Sequence, residues 1–201
     1  MHYYMIVKRL FDIICSSIII LISLPFAIVI AVAVWILDGW PIFFVQKRVG
    51  RNRKLFNMYK FRTMRVLRGS EMGAFDAGNG NRVTPLGQFL RKSKMDELPQ
   101  LFNVIIGDMS LVGPRPEVEK WVNAYPYLWE KALSVKPGIT DYASIKFRNE
   151  EQILGSSPDP ETAYRDVILP QKLSLYNQYV DGISLSLDIG IIIKTVWRVI
   201  T

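Results

Sequence analysis

The sequence predicts an α+β chain. An N-terminal apolar helix-break-helix would enter and leave a membrane by one face. A small β-hairpin and a set of helices would then form a domain on that face, with amphipathic helices lying on the membrane surface. Three observations carry this reading. Ile13 to Leu37 carries no charge and has Pro25 near its middle, and at about 25 residues it is long enough to span a bilayer. Two short runs rich in β-branched and aromatic residues flank Gly50-Arg51-Asn52, as the strands of a hairpin would. Beyond them Leu98, Leu101, Phe102 and Ile105 recur at helical spacing.

Composition bounds the reading further. The chain has 201 residues, enough for one domain with a real core. Half of the residues are hydrophobic, and mean hydropathy is slightly positive despite the charge the chain carries, which points to membrane contact. The one cysteine, Cys15, lies in the apolar run and excludes an internal disulfide framework. The one histidine, His2, excludes a His-based triad or a His-rich metal site. Net charge is +7, and it is unevenly placed: nine basic residues and no acidic residue lie between Gly39 and Ser70. Such a block can meet nucleic acid, anionic lipid headgroups or a nucleotide.

The flanks of the apolar run decide its topology. Lys8 and Arg9 precede it and the basic block follows it. The positive-inside rule would hold both sides in the cytoplasm, which one straight span cannot satisfy. Pro25 removes a backbone hydrogen bond and permits a sharp kink. Ser16, Ser17 and Ser23 can rebond freed carbonyls in an apolar medium. Residues 5–37 are therefore read as re-entrant, with an ordinary kinked transmembrane helix as the alternative that these residues leave open. The chain divides into an anchor, 1–38, and a domain, 39–201.

The domain reads in order as follows. Ile42 to Val45 and Leu55 to Phe61 are strands; in the second, Lys60 and Arg62 share one face, able to aim two cations at a phosphate or simply to be solvated. Residues 69–84 are a mobile loop. Pro85 to Arg91 starts a helix. Leu98, Leu101, Phe102 and Ile105 recur at helical spacing with Gly107 as a stop, which puts Asp96 at or near an N-cap and Pro99 in the first turn. Lys120 to Leu133 is an aromatic-rich helical stretch, suited to a membrane interface or to a core. Lys136 to Thr140 is a turn, Glu150 to Asp159 a loop, and Glu161 to Val180 a helix. Ile183 to Thr201 is apolar but interrupted by Asp188, Lys194 and Arg198, which suits a helix lying on a membrane.

The chemistry concentrates in two places. Asp96 and Glu97 are adjacent carboxylates, for which helix capping is the ordinary explanation. Arg115 returns between Pro114 and Pro116 about twenty residues later. Two carboxylates and a rigid arginine are suited to work on a phosphate.

Four motifs taken together resemble the bacterial sugar transferase family, the monotopic phosphoglycosyl transferases. They are Lys60-Phe61-Arg62-Thr63-Met64; Asp96-Glu97-Leu98-Pro99-Gln100-Leu101-Phe102-Asn103; Gly107-Asp108-Met109-Ser110-Leu111-Val112-Gly113-Pro114-Arg115-Pro116; and Lys136-Pro137-Gly138-Ile139-Thr140. Their order and spacing match over nearly the whole chain, and the resemblance is to the family's minimal form. It implies transfer of a phosphosugar from a nucleotide diphosphate sugar, with UDP as the expected nucleotide, to polyprenyl phosphate in the membrane, the first membrane step of glycoconjugate assembly. It implies Asp96 as nucleophile and Glu97 as ligand of a Mg2+ cofactor; beside that, Arg115 can hold substrate phosphate oxygens in a fork, with Lys60 and Arg62 as further candidates for the same duty. It implies a re-entrant anchor broken at Ser23 and Pro25, at the cytoplasmic face of a bacterial inner membrane. Membrane lipids are implied partners, nucleic acid is not, and a homodimer is compatible.

Two departures stand out. Leu24 separates Ser23 from Pro25, where the family commonly has Ser-Pro. Asp141-Tyr142-Ala143 follows the Pro-Gly-Ile-Thr turn, where many relatives continue Gly-Trp-Ala. The rival readings are a membrane-tethered binder of nucleic acid or anionic lipid, and a nucleotide-sugar hydrolase with water as acceptor.

Overall fold

A computed structural model of the protein describes residues 2–66 and 82–200. The stretch 69–84, read as a mobile loop, lies outside the described residues except for its last three.

The apolar N-terminal run forms one helix, α1 (His2–Asp38), with Pro25 inside it. The expected break does not divide it into two helices. Proline deletes one backbone hydrogen bond without ending the ladder on either side, and nearby Ser23 Oγ donates to the Ile20 carbonyl at 3.4 Å. Among the described residues α1 is the one helix long and apolar enough to cross a membrane. Lys8, Asp12 and Ser16 near its start, and Ile30 and Val34 near its end, are buried against the rest of the protein, while no residue from 17 to 29 is.

The hairpin is β1 (Phe43–Val49) and β2 (Leu55–Phe61), paired antiparallel with Phe43 opposite Phe61 and Val49 opposite Leu55. The first strand runs four residues beyond its expected end because Gln46, Lys47 and Arg48 continue its in-out alternation rather than entering the turn. Beyond it come α2 (Pro85–Lys92), capped by Thr84 Oγ1 accepting from the Gly87 amide at 2.9 Å, and α3 (Gln100–Ile106). Gly107, at φ +98°, closes α3 in the left-handed conformation that glycine adopts without strain. The Asn103 side chain reaches from α3 to the free edge of β2: its Oδ1 accepts from the Tyr59 amide at 3.2 Å and its Nδ2 donates to the Asn57 carbonyl at 2.7 Å.

The expected turn at 136–140 is instead largely a strand. β4 (Gly138–Thr140) pairs in parallel with β3 (Ser110–Val112). Two glycines let the chains meet: a Cβ on Gly138 would lie 2.1 Å from the Gly113 nitrogen. The aromatic stretch divides into α4 (Glu119–Ala124) and α5 (Pro126–Ala132), since Pro126 forces Tyr125 out of helical conformation. Trp121 and Trp129 are core residues, packed with Tyr164, Leu169, Leu173 and Tyr176. Asp141 caps α6 (Tyr142–Lys146) through the Ser144 amide at 2.9 Å. The presumed loop at 150–159 contains α7 (Glu150–Gly155). The long helix expected over 161–180 is α8 (Pro160–Ala163), a π-helical segment at Tyr164–Ile168, and α9 (Leu169–Asp181). Last comes α10 (Leu185–Ile200).

The chain is thus a mixed helix-and-sheet structure with a long apolar helix at its start. A buried polar cluster holds that start in place. Lys8 Nζ lies 2.6 Å from Asp188 Oδ2 of α10, and Tyr179 donates to Asp188 Oδ1 at 2.7 Å. Asp12 accepts from Ser110 Oγ at 2.7 Å and from the Leu111 amide at 3.2 Å. Asp188, one of the charges that interrupt the C-terminal apolar run, is fully buried.

Candidate active site

The two carboxylates sit on a 3-10 turn, Met95–Glu97, that precedes α3; the N-cap of α3 is Pro99. Asp96 is therefore not the cap of that helix, because the chain tightens to i→i+3 bonding before α3 begins: the Leu98 amide donates to Met95 and the Leu101 amide to Leu98. Lys94, at φ +59°, reverses the backbone just before the turn and swings both carboxylates inward. Asp96 is 6 % exposed and Glu97 8 %.

Glu97 is bound on both oxygens. Lys60 Nζ, from the end of β2, donates to Oε1 at 3.0 Å. Arg115 forks onto the same carboxylate, Nη2 to Oε1 and Nη1 to Oε2 at 3.3 Å. Arg115 Nη1 also faces the Ile139 carbonyl of β4 at 3.4 Å, so the β3–β4 pairing fixes the arginine's position. Burial alone would raise the Glu97 pKa, but Arg115 and Lys60 outweigh it and hold the carboxyl well below the ordinary range. Arg115 is raised in turn by Glu97. Lys60 is lowered, first by burial, against the pull of Glu97.

Asp96 is different. Its carboxylate makes no hydrogen bond or ion pair among the described residues, and Oδ1 is fully buried. A buried carboxylate without a partner is costly and rare in a folded protein. Burial pushes its pKa up; Lys60, Lys94 and Arg115 pull it down and Glu97 pushes it up again. The site therefore holds one spent carboxylate, Glu97, and one unspent, Asp96, beside two cations whose outer edges remain accessible: the Lys60 and Arg115 side chains are 19 % and 24 % exposed.

Of the residues singled out in the sequence, Asp96, Glu97, Lys60 and Arg115 come together. Arg62 does not join them. Strand β2 ends at Phe61, so the shared face with Lys60 is lost, and Arg62 Nη2 donates to the Gly39 carbonyl at 2.7 Å and also to that of Asp38. It closes the C-terminal end of α1, where the last carbonyls need donors. Ser23 and Pro25 lie on the exposed middle of α1.

Sequence reasoning missed the support of the arginine loop. Glu117 bonds Arg48 at 2.9 Å and the Tyr164 hydroxyl, and Arg48 also donates to the Pro116 carbonyl at 3.3 Å. A glutamate directly after Pro-Arg-Pro gave no signal, because its partners lie 69 and 47 residues away.

The donor set can be tested against a divalent cation. Among the described residues no group of three or more His, Cys, Asp or Glu could hold a metal. Two carboxylates suit Mg2+ when substrate phosphates supply further ligands. Glu97 Oε2, engaged only by the 3.3 Å contact to Arg115, retains a lone pair for it.

The sequence profile of the family described as bacterial sugar transferase matches residues 3–201. A UDP-glucose:undecaprenyl-phosphate glucose-1-phosphate transferase of Klebsiella pneumoniae is 37 % identical over 198 residues, covering 96 % of this chain and 40 % of that protein. A UDP-N-acetylgalactosamine-undecaprenyl-phosphate N-acetylgalactosaminephosphotransferase of Aeromonas hydrophila is 34 % identical over 203 residues, 98 % of this chain and 44 % of its own length. An uncharacterised sugar transferase of Bacillus subtilis (strain 168) is 38 % identical over 203 residues, 98 % and 88 %. The chain thus spans about two fifths of the first two relatives and most of the third.

Proposed function

The chain belongs to the bacterial sugar transferase family, and from that premise we propose that it transfers a phosphosugar from a UDP-sugar to membrane polyprenyl phosphate, with Asp96 as nucleophile. The observation that carries the reading is the Asp96 carboxylate, buried and unpartnered beside two cations. In the first step an Asp96 oxygen attacks the phosphorus nearer the sugar. The bond from that phosphorus to the bridging oxygen breaks, UMP leaves with the electron pair, and an acyl phosphate forms. In the second step a phosphate oxygen of the polyprenyl phosphate attacks the same phosphorus. The Asp96 carboxylate leaves, giving polyprenyl-diphosphate sugar.

Lys60 and Arg115 each keep N–H groups beyond those given to Glu97, and these would hold phosphate oxygens. Glu97 would hold Mg2+ on the diphosphate, and the metal would neutralise charge and improve the leaving group. Incubation with UDP-sugar alone is expected to leave a phosphosugar adduct on Asp96 by mass spectrometry, and Asp96→Asn to abolish both the adduct and UMP release in the presence of polyprenyl phosphate and Mg2+. An adduct on another residue would overturn the assignment. UMP release that ignores the lipid acceptor would favour the hydrolase.

The same reading takes α1 as re-entrant at the cytoplasmic face of the membrane. Its support is that both ends of the helix are tied to one folded body: Lys8 to Asp188 and Arg9 to α3 carbonyls at the start, Asp38 to Thr84 and Arg62 at the end. A straight crossing would put those ends on opposite sides of a core of about 30 Å. Pro25 sits in the middle of the unburied stretch. Tags at both termini in sealed inverted vesicles should be cleaved together by added protease; protection of one alone refutes re-entry.

A further inference from the structure

The far end of α3 carries a second pair of cations that the transfer chemistry does not use. Arg9 of α1 donates from Nη1 to the Val104 carbonyl at 2.6 Å and from Nη2 to that of Ile105 at 2.8 Å. Lys136, just before β4, approaches from the other side. A Cβ built on Gly107 would lie 3.4 Å from Arg9 Nη2 and 3.4 Å from Lys136 Nζ, so the two nitrogens stand within twice that distance of each other over a bare glycine. Lys136 is half-buried, yet among the described residues its ammonium makes no hydrogen bond or ion pair, unlike the other buried or half-buried lysines, Lys8, Lys60 and Lys172. Asp12 and Asp108 are near enough to act on it, but Asp12 is already committed to Ser110, the Leu111 amide and Lys8. Burial, and then the charge of Arg9, lower the Lys136 pKa. Arg9 and Arg51 crowd positive charge around Lys136, and neither Asp12 nor Asp108 is bonded to it, so a bound anion would relieve the repulsion.

The surroundings are apolar. Leu10, next to Arg9, and Ile106 and Phe102, on one face of α3, are all more than half exposed. We propose that Arg9 and Lys136, meeting over Gly107, bind the phosphate of an anionic phospholipid whose acyl chains lie along Leu10, Phe102 and Ile106. Free phosphate or a nucleotide would leave those apolar side chains bare. The acceptor lipid is also a poor fit, because the seven residues of α3 put about 10 Å of helix between this pair and the Asp96 turn.

The test is lipid binding by the full chain in detergent, read by native mass spectrometry, so it stands or falls apart from the transferase reading. Phosphatidylglycerol is expected to stay bound to the protein. Lys136→Gln is expected to weaken that binding about fivefold, the worth of one basic side chain at an anionic membrane surface. Lys136→Arg should keep the lipid, and Lys194→Gln, which alters an exposed lysine of α10, should bind as the parent does. Phosphatidylcholine should bind more weakly. The proposal is overturned if Lys136→Gln binds as the parent, if Lys194→Gln loses as much, or if Lys136→Arg loses the lipid. It is also overturned if inorganic phosphate displaces the lipid at equal concentration, which marks a free-anion site, or if a prenyl phosphate displaces it preferentially, which marks an acceptor seat.

Discussion

Arg115→Met removes the fork from Glu97 and leaves Lys60 as its one bonded cation among the described residues. Two charge-assisted bonds to Glu97 disappear, one short and one of 3.3 Å, with a weak contact to the Ile139 carbonyl at 3.4 Å. Such bonds are worth roughly 1.5–3 kcal/mol each when well formed. Only one is, and Lys60 stays at 3.0 Å. The expected loss is therefore about 2–3 kcal/mol, below the roughly 3–5 kcal/mol of a buried charge left with no partner. For a chain of this size that is a fall of about 5–10 °C in Tm, measurable by thermal shift in detergent. The sign with pH is fixed. The folded-state pKa of Glu97 is depressed, so its contribution is present above the unfolded carboxyl pKa and is lost as pH falls through the folded value. The gap in Tm between parent and variant should be full at neutral pH and close as the solution is acidified. UMP release should fall about 100-fold or more, as when one charged donor to a transition state is removed, with Arg115→Lys intermediate in both readouts. A variant with the parent's Tm at neutral pH would refute the account of Glu97 as held by this fork.

Three other outcomes are expected. Lys60→Met removes a cation that pulls the Asp96 pKa down, so the acid limb of the pH–rate profile, where Asp96 must ionise, should move to higher pH; an unmoved limb counts against Asp96 as the titrating group. Lys8→Met leaves Asp188 buried with only tyrosine donors and should cost about 3 kcal/mol, largely restored by adding Asp188→Asn; a cost that the second change does not restore removes the ion pair as its cause. Arg62→Met should open the Asp38–Gly39 junction to limited proteolysis with little change in turnover, whereas a loss of turnover equal to that of Lys60→Met would return Arg62 to the site.

The sequence showed local features well and distant ones poorly. Gly107 as the stop of α3 and Pro85 at the start of α2 are single-residue signals with a local mechanism, and the hairpin follows from composition around Gly50. Pro126 is the same kind of signal, and it splits the aromatic stretch into α4 and α5. The pairing of β3 with β4 had no such signal, since three-residue strands 28 positions apart in register show no periodicity. Within the site, Asp96, Glu97 and Arg115 were visible because their residue types and order suit phosphate chemistry. That Glu97 is spent and Asp96 is not could not be seen, because it depends on where Lys60 and Arg115 arrive in space. Arg62 lies apart from this cluster for a related reason: strand alternation stops at Phe61, the end of β2. The burial of Asp188 has no local signal because Lys8, which neutralises it, lies 180 residues away.

Asn103 takes the place of a third strand on the open edge of β2. With Tyr59 and Asn57 both engaged by its side chain, that stretch of the hairpin cannot recruit a strand from another chain. It also makes the hairpin and α3 one mechanical piece. Lys60 follows Tyr59 directly, and the turn bearing Asp96 and Glu97 leads into α3, so cation and carboxylates cannot drift apart. Arg115 arrives from outside this clasp, resting on the Ile139 carbonyl of β4, and meets the clasped piece only through its fork onto Glu97.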